Sequence, residues 1–116
     1  MTTVRITNLR LRTIIGANDW ERTTKQDVVI NVVFQYNSAK AQKYDRLKDT
    51  VDYKTITKKI IQAVEKSQYQ LIEKLTDVVL TIVLENTLVK TATVRIDKPQ
   101  ALRFADSVSV ELTRKK

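Results

Sequence analysis

Apolar residues recur along the chain with two different periods. Val4 and Ile6, then Leu9 and Leu11, alternate with Arg5, Arg10 and Arg12. Val28, Ile30, Val32, Phe34 and Tyr36 hold a period of two without a break, the pattern of a strand with one face buried. The opposite positions of that run, Asp27, Val29, Asn31, Val33 and Gln35, are mixed. Between the two runs, Ile15-Gly16-Ala17-Asn18-Asp19-Trp20-Glu21 is too long for a two-residue hairpin turn. The period then lengthens. Tyr53, Ile56, Ile60 and Val64 fall at helical spacing, with Asp52 placed to cap the start. Leu71, Ile72, Leu75, Val78, Val79, Ile82 and Val83 repeat the pattern in a second helix. Ala92, Val94 and Ile96, and later Val108, Val110 and Leu112, return to a period of two.

The predicted order is therefore β-β-α-α-β-β. A polar segment, residues 37–49, joins the second strand to the first helix. This order implies an α+β fold: a four-stranded antiparallel sheet with two antiparallel helices on one face. The Tyr53 ring, lying on the helix stripe, is expected in the core. The other sheet face stays polar, with Asn31, Gln35, Arg95, Ser107 and Ser109. Such a sheet has two edges that need pairing or protection, which an oligomer joined edge to edge would supply.

Composition narrows the chemistry. The 116 residues, 42% apolar, suit one domain spanning 1–116 with a single core. One Gly and one Pro exclude collagen-like and linker-type chains. The absence of Cys excludes disulfides, thiolate zinc sites and cysteine nucleophiles. The absence of His excludes Ser-His-Asp catalysis and His-ligated metals. No run of about 18 apolar residues is present, and the alternating N-terminus is unlike a signal peptide, so a cytoplasmic location with no membrane partner is expected. The formal charge of +8 suits an anionic partner or simply a solvated basic surface. A nucleic-acid module is the reading from another class. It is disfavoured because the basic residues are dispersed and no helix-turn-helix, finger or stacking-aromatic motif occurs.

Without His and Cys, the available acids and bases are carboxylates, Lys and Tyr. Lys98 precedes the only proline, Pro99, which biases the lysine towards extended backbone. A lysine so restrained can be aimed at one point, although a surface lysine in a turn would look the same. Glu73 falls in the first turn of the second helix, where the dipole alone favours a carboxylate. It could also accept two N–H donors from an amidine-like ring edge. Glu21 closes the loop holding the only glycine, and Gly16 suits a positive-φ turn.

Taken in order, these segments carry a resemblance. Thr13-Ile14-Ile15-Gly16, Asp19-Trp20-Glu21, Asp52-Tyr53, Leu71-Ile72-Glu73-Lys74-Leu75 and Asp97-Lys98-Pro99 resemble the dihydroneopterin aldolase family across essentially the whole chain. Within it, Asn8-Leu9-Arg10-Leu11-Arg12-Thr13, Lys25-Gln26-Asp27-Val28-Val29-Ile30-Asn31, Tyr53-Lys54-Thr55-Ile56-Thr57-Lys58 and the stretch from Ile96 to Ser109 look more like the dihydroneopterin triphosphate 2′-epimerase branch. Asp19-Trp20-Glu21 departs and looks more like the aldolase branch.

The resemblance implies the tunnelling fold and a retro-aldol reaction without cofactor or metal, because the dihydropterin ring accepts the electrons. It implies that Lys98 is the acid/base and that Tyr53, supplied across a subunit interface, assists proton transfer. Glu73, with the Ile72 backbone beside it, would grip the 2-amino and N3 edge of the pterin, and Glu21 would orient the side-chain hydroxyls. It further implies a homo-octamer of two stacked tetramers, with sites between subunits. For a triphosphate substrate, Arg22, Lys25 and Arg103 lie near the site residues in sequence and are candidate phosphate contacts, each equally readable as solvated surface.

Overall fold

A computed structural model describes residues 1–116. The chain forms strands β1 (Thr2–Ile15) and β2 (Gln26–Tyr36), helices α1 (Ala39–Tyr44) and α2 (Tyr53–Glu65), strand β3 (Gln68–Tyr69), helix α3 (Ile72–Leu84), and strands β4 (Thr91–Lys98) and β5 (Val108–Lys115). The sheet order is β3-β1-β2-β4-β5. All pairs are antiparallel except β1 with β3, where Ile14 and Ile15 run parallel to Gln68 and Tyr69. The expected four-stranded antiparallel sheet is thus a five-stranded mixed one. The added strand has two residues, too few to show any period. Residues 37–49 hold a further departure, the six-residue helix α1, whose surface carries no apolar stripe.

The buried face of the sheet follows the alternation. Val28, Ile30, Val32 and Phe34 on β2 and Val94 and Ile96 on β4 are fully enclosed, facing Ile56, Ile60 and Val64 of α2 and Leu75, Val79, Leu80 and Val83 of α3. The slip in the β1 pattern between Ile6 and Leu9 is a bulge: Ile6 pairs with Val32 but Leu9 with Ile30. Asn8 absorbs the extra residue at φ 55°, a conformation Asn tolerates better than most side chains. Its N–H donates to Asn31 Oδ1 at 2.9 Å, and Asn31 Nδ2 donates back to Asn8 Oδ1 at 3.2 Å. The bulge returns the apolar positions of β1 to the helix side.

The capping of α2 is as expected: Asp52 accepts from the N–H groups of Lys54 and Thr55, and those bonds, with the Thr55 hydroxyl, hold its carboxyl below the usual range. Tyr53 departs from expectation. It is 54% exposed, whereas Ile56, Ile60 and Val64 further along the stripe are buried. Leu71, expected on the α3 stripe, is the exposed residue that precedes the helix.

Candidate functional site

The loop after β1 folds into a single 3-10 turn, Asp19–Arg22, which turns Glu21 inward. Only 5% of Glu21 is exposed. Its Oε2 receives Lys98 Nζ at 2.6 Å and Gln26 Nε2 at 3.0 Å, and its Oε1 receives the Asn18 N–H at 3.3 Å. The Lys98 hydrogen bond is the largest influence on this carboxyl. Burial opposes it, but Gln26, the Asn18 amide and the lysine charge all reinforce it, and the pKa falls to about 2. Glu21 is therefore a carboxylate throughout the neutral range, and Lys98 faces it as a donor.

Gly16 makes this pocket possible. It sits at φ +127°, and a Cβ there would overlap the Glu21 carboxyl group. Lys98 ends β4, and its parity with Ala92, Val94 and Ile96 points it to the helix side of the sheet. Gln26 opens β2 on the same face and also donates to the Ile15 carbonyl at 2.6 Å. It joins the loop to the strand that follows.

Arg22 ties a third element to this corner. Its guanidinium donates to the carbonyls of Gly16 (2.9 Å), Tyr69 (3.2 Å) and Gln68 (2.6 Å), clamping the Glu21 turn onto β3. That strand leads directly into α3, whose first turn carries Ile72 and Glu73. Arg22, a candidate phosphate contact from its place in the sequence, gives three of its guanidinium hydrogen bonds to main-chain carbonyls in this corner. Glu73 is exposed and takes no hydrogen bond or ion pair within the chain, beside a helix N-terminus that favours its negative charge.

The corner thus brings together Glu21 and Lys98, and β3, bound to it through Arg22, leads into the helix that starts with Ile72 and Glu73. Tyr53 is not among them. It begins α2, while the Val64 carbonyl at the other end of that helix accepts the Thr13 hydroxyl beside the site loop. The intervening helix puts Tyr53 about 16 Å further along the axis. Lys25 is exposed without an ionic partner, and Arg103 lies in the loop before β5, 5.4 Å from the centroid of the exposed Phe104 ring. Gln26 is the site residue that sequence reasoning misses. Its parity with Val28 and Ile30, a polar side chain at the head of an otherwise apolar face, is the signal that points to it.

A buried carboxylate paired with a lysine suits proton transfer, and an unpartnered carboxylate on a helix N-terminus suits binding of an N–H edge. The sheet with its helices packed on one face is an α+β fold of the tunnelling class. The family model described as FolB, dihydroneopterin aldolase, matches residues 4–113, and the chain belongs to this family of pterin-processing enzymes. It is similar to the dihydroneopterin triphosphate 2′-epimerase of Escherichia coli, at 49% identity over 110 residues covering 95% of this chain and 92% of the relative. The epimerase of Pseudomonas aeruginosa is 45% identical over 112 residues, covering 97% and 91%. The dihydroneopterin aldolase of Escherichia coli is 29% identical over 114 residues, covering 98% and 93%. The crystal structure of that aldolase in complex with neopterin aligns with a TM-score of 0.93, covering 98% of this chain and 99% of that one.

Proposed function

We propose that the chain epimerises carbon 2′ of 7,8-dihydroneopterin 3′-triphosphate, giving the dihydromonapterin triphosphate. The observation that carries the choice of branch is the identity of 49% to an epimerase against 29% to an aldolase over nearly the same residues. Loss of the 2′-hydroxyl proton breaks the bond between carbons 1′ and 2′. The electron pair enters the dihydropterin ring as an enamine, and the fragment leaves as an aldehyde. When the aldehyde turns and re-adds through its other face, the bond re-forms, the oxygen is reprotonated, and carbon 2′ is inverted.

In this scheme Lys98 moves the protons. Glu21, ionised and held by three donors, keeps the ammonium aimed and accepts from the substrate hydroxyls. Glu73 binds the ring edge, with the Ile72 main chain beside it. Tyr53 comes from a second copy, a reading supported by its exposure and its position at the far end of α2. The assembly we favour is a homo-octamer of two stacked tetramers. Thr2–Thr13 of β1 pair only with β2, and β5 pairs only with β4, so both sheet edges are open to a neighbour.

The second reading is an aldolase that protonates carbon 1′ and releases glycolaldehyde, favoured by the Asp19-Trp20-Glu21 segment. Chromatography of the pterins formed from phosphorylated and unphosphorylated dihydroneopterin separates the two. The epimerase reading predicts the 2′-epimer of the triphosphate with slow glycolaldehyde release. Rapid formation of 6-hydroxymethyl-7,8-dihydropterin without epimer would overturn it.

A further inference from the structure

A cleft of about 250 Å³ opens on the outer side of the Glu21–Lys98 corner, lined by Arg12, Trp20, Lys25, Gln26, Asp27 and Pro99 among others. One of these residues contacts the corner and two others flank it in sequence. Trp20 precedes Glu21, Gln26 donates to the same Glu21 oxygen as Lys98, and Pro99 follows Lys98. Of the candidate phosphate contacts Arg22, Lys25 and Arg103, only Lys25 lines the cleft; Arg12 is the other cation there.

The exposed Arg12 guanidinium makes two contacts within the chain. Its Nη2 donates to the Lys25 carbonyl at 3.1 Å, and its Nε lies 3.3 Å from Asp27 Oδ1. Nη1 has no partner within the chain, and the Lys25 ammonium is likewise unpaired. Asp27 neutralises one of the two cations, so the cleft keeps a net positive charge. A guanidinium and a free ammonium on one polar cleft suit the closely spaced oxygens of a polyphosphate.

We propose that Arg12 and Lys25 form the subsite for the substrate's phosphate chain, and so decide between phosphorylated and unphosphorylated pterins. The inference rests on the epimerase reading above, because only there does a triphosphate extend from the reacting carbons. It also gives a physical reason for epimerisation to outrun cleavage: a cleaved aldehyde that still carries the phosphates stays anchored by them and can turn and re-add before it escapes.

The test compares the intact protein with R12A/K25A and with the single variant Lys25→Glu, whose side chain has no partner in the fold to lose. A control, K40A/K48A, removes the same charge from exposed positions elsewhere. One arm measures KM for dihydroneopterin triphosphate and for dihydroneopterin. The preference for the triphosphate should fall by about tenfold for each cation removed, and the released aldehyde should rise. The other arm measures binding of inorganic tripolyphosphate by calorimetry, a readout independent of any pterin chemistry. Binding should weaken in both cleft variants and persist in the control. Equal weakening in the control, or an unchanged preference in R12A/K25A, would overturn the subsite. If no pterin is turned over while tripolyphosphate binding still maps to the cleft, the epimerase reading fails and the anion site stands.

Discussion

The two ends of α2 differ in how much of their chemistry the chain completes by itself. At the C-terminal end, Thr13 reaches the Val64 carbonyl, and Glu21, Lys98, Gln26 and Arg22 are interlocked, with each Glu21 oxygen receiving a donor. At the N-terminal end, Asp52 caps the helix, but Tyr53 beside it is more than half exposed and the nearby Leu47 is 90% exposed. One end is organised before any substrate arrives; the other leaves an aromatic side chain exposed. An oriented acid–base pair needs a rigid frame, whereas a residue that serves a neighbouring copy must stay uncovered in its own.

This contrast can be broken from the organised end first. Lys98→Ala should lower turnover by about 10²–10⁴-fold while pterin affinity stays near wild type, because in the proposed mechanism the lysine moves protons and Glu73 holds the ring. Glu73→Ala should do the reverse, weakening pterin binding by about 10–100-fold through loss of a bidentate charge-assisted contact. Equilibrium titration beside steady-state kinetics separates the two. Near-normal rates in the lysine variant would remove Lys98 from its role.

A smaller effect is expected from Gly16→Ala. The residue sits at φ +127°, and the new methyl group would displace the Glu21 carboxylate from Lys98. A loss of about 2–4 kcal/mol in denaturant unfolding is expected, with a fall in kcat as the pair separates. Wild-type stability in that variant would mean that the close approach of Gly16 and Glu21 is not tight in solution.

Much of the frame is legible in the residues. The unbroken alternation of β2 and the Asp52 cap read correctly because each depends on neighbours in sequence. The two-residue β3 does not, since its pairing with Ile14 and Ile15 is a tertiary event. Tyr53 reads wrongly as core because helical spacing says which side of a helix a residue occupies, not whether anything covers that turn. At the site, Gly16 and Pro99 draw attention to Glu21 and Lys98 separately. Their meeting across 77 residues of chain is a property of the sheet, which sets the end of β4 against the loop after β1. Arg22 is legible only in part: its nearness in sequence to Glu21 draws attention to it, and only the fold reveals that it bonds to three main-chain carbonyls.

The central claim is that an active centre joins the organised end of one chain to the open end of another. Mixing tests it directly. Lys98→Ala and Tyr53→Ala proteins, each nearly inactive alone, are unfolded together in equal amounts and refolded. If each centre draws Lys98 and Tyr53 from different chains, random assembly restores about a quarter of the wild-type rate. A mixture no more active than its two components would contradict the account.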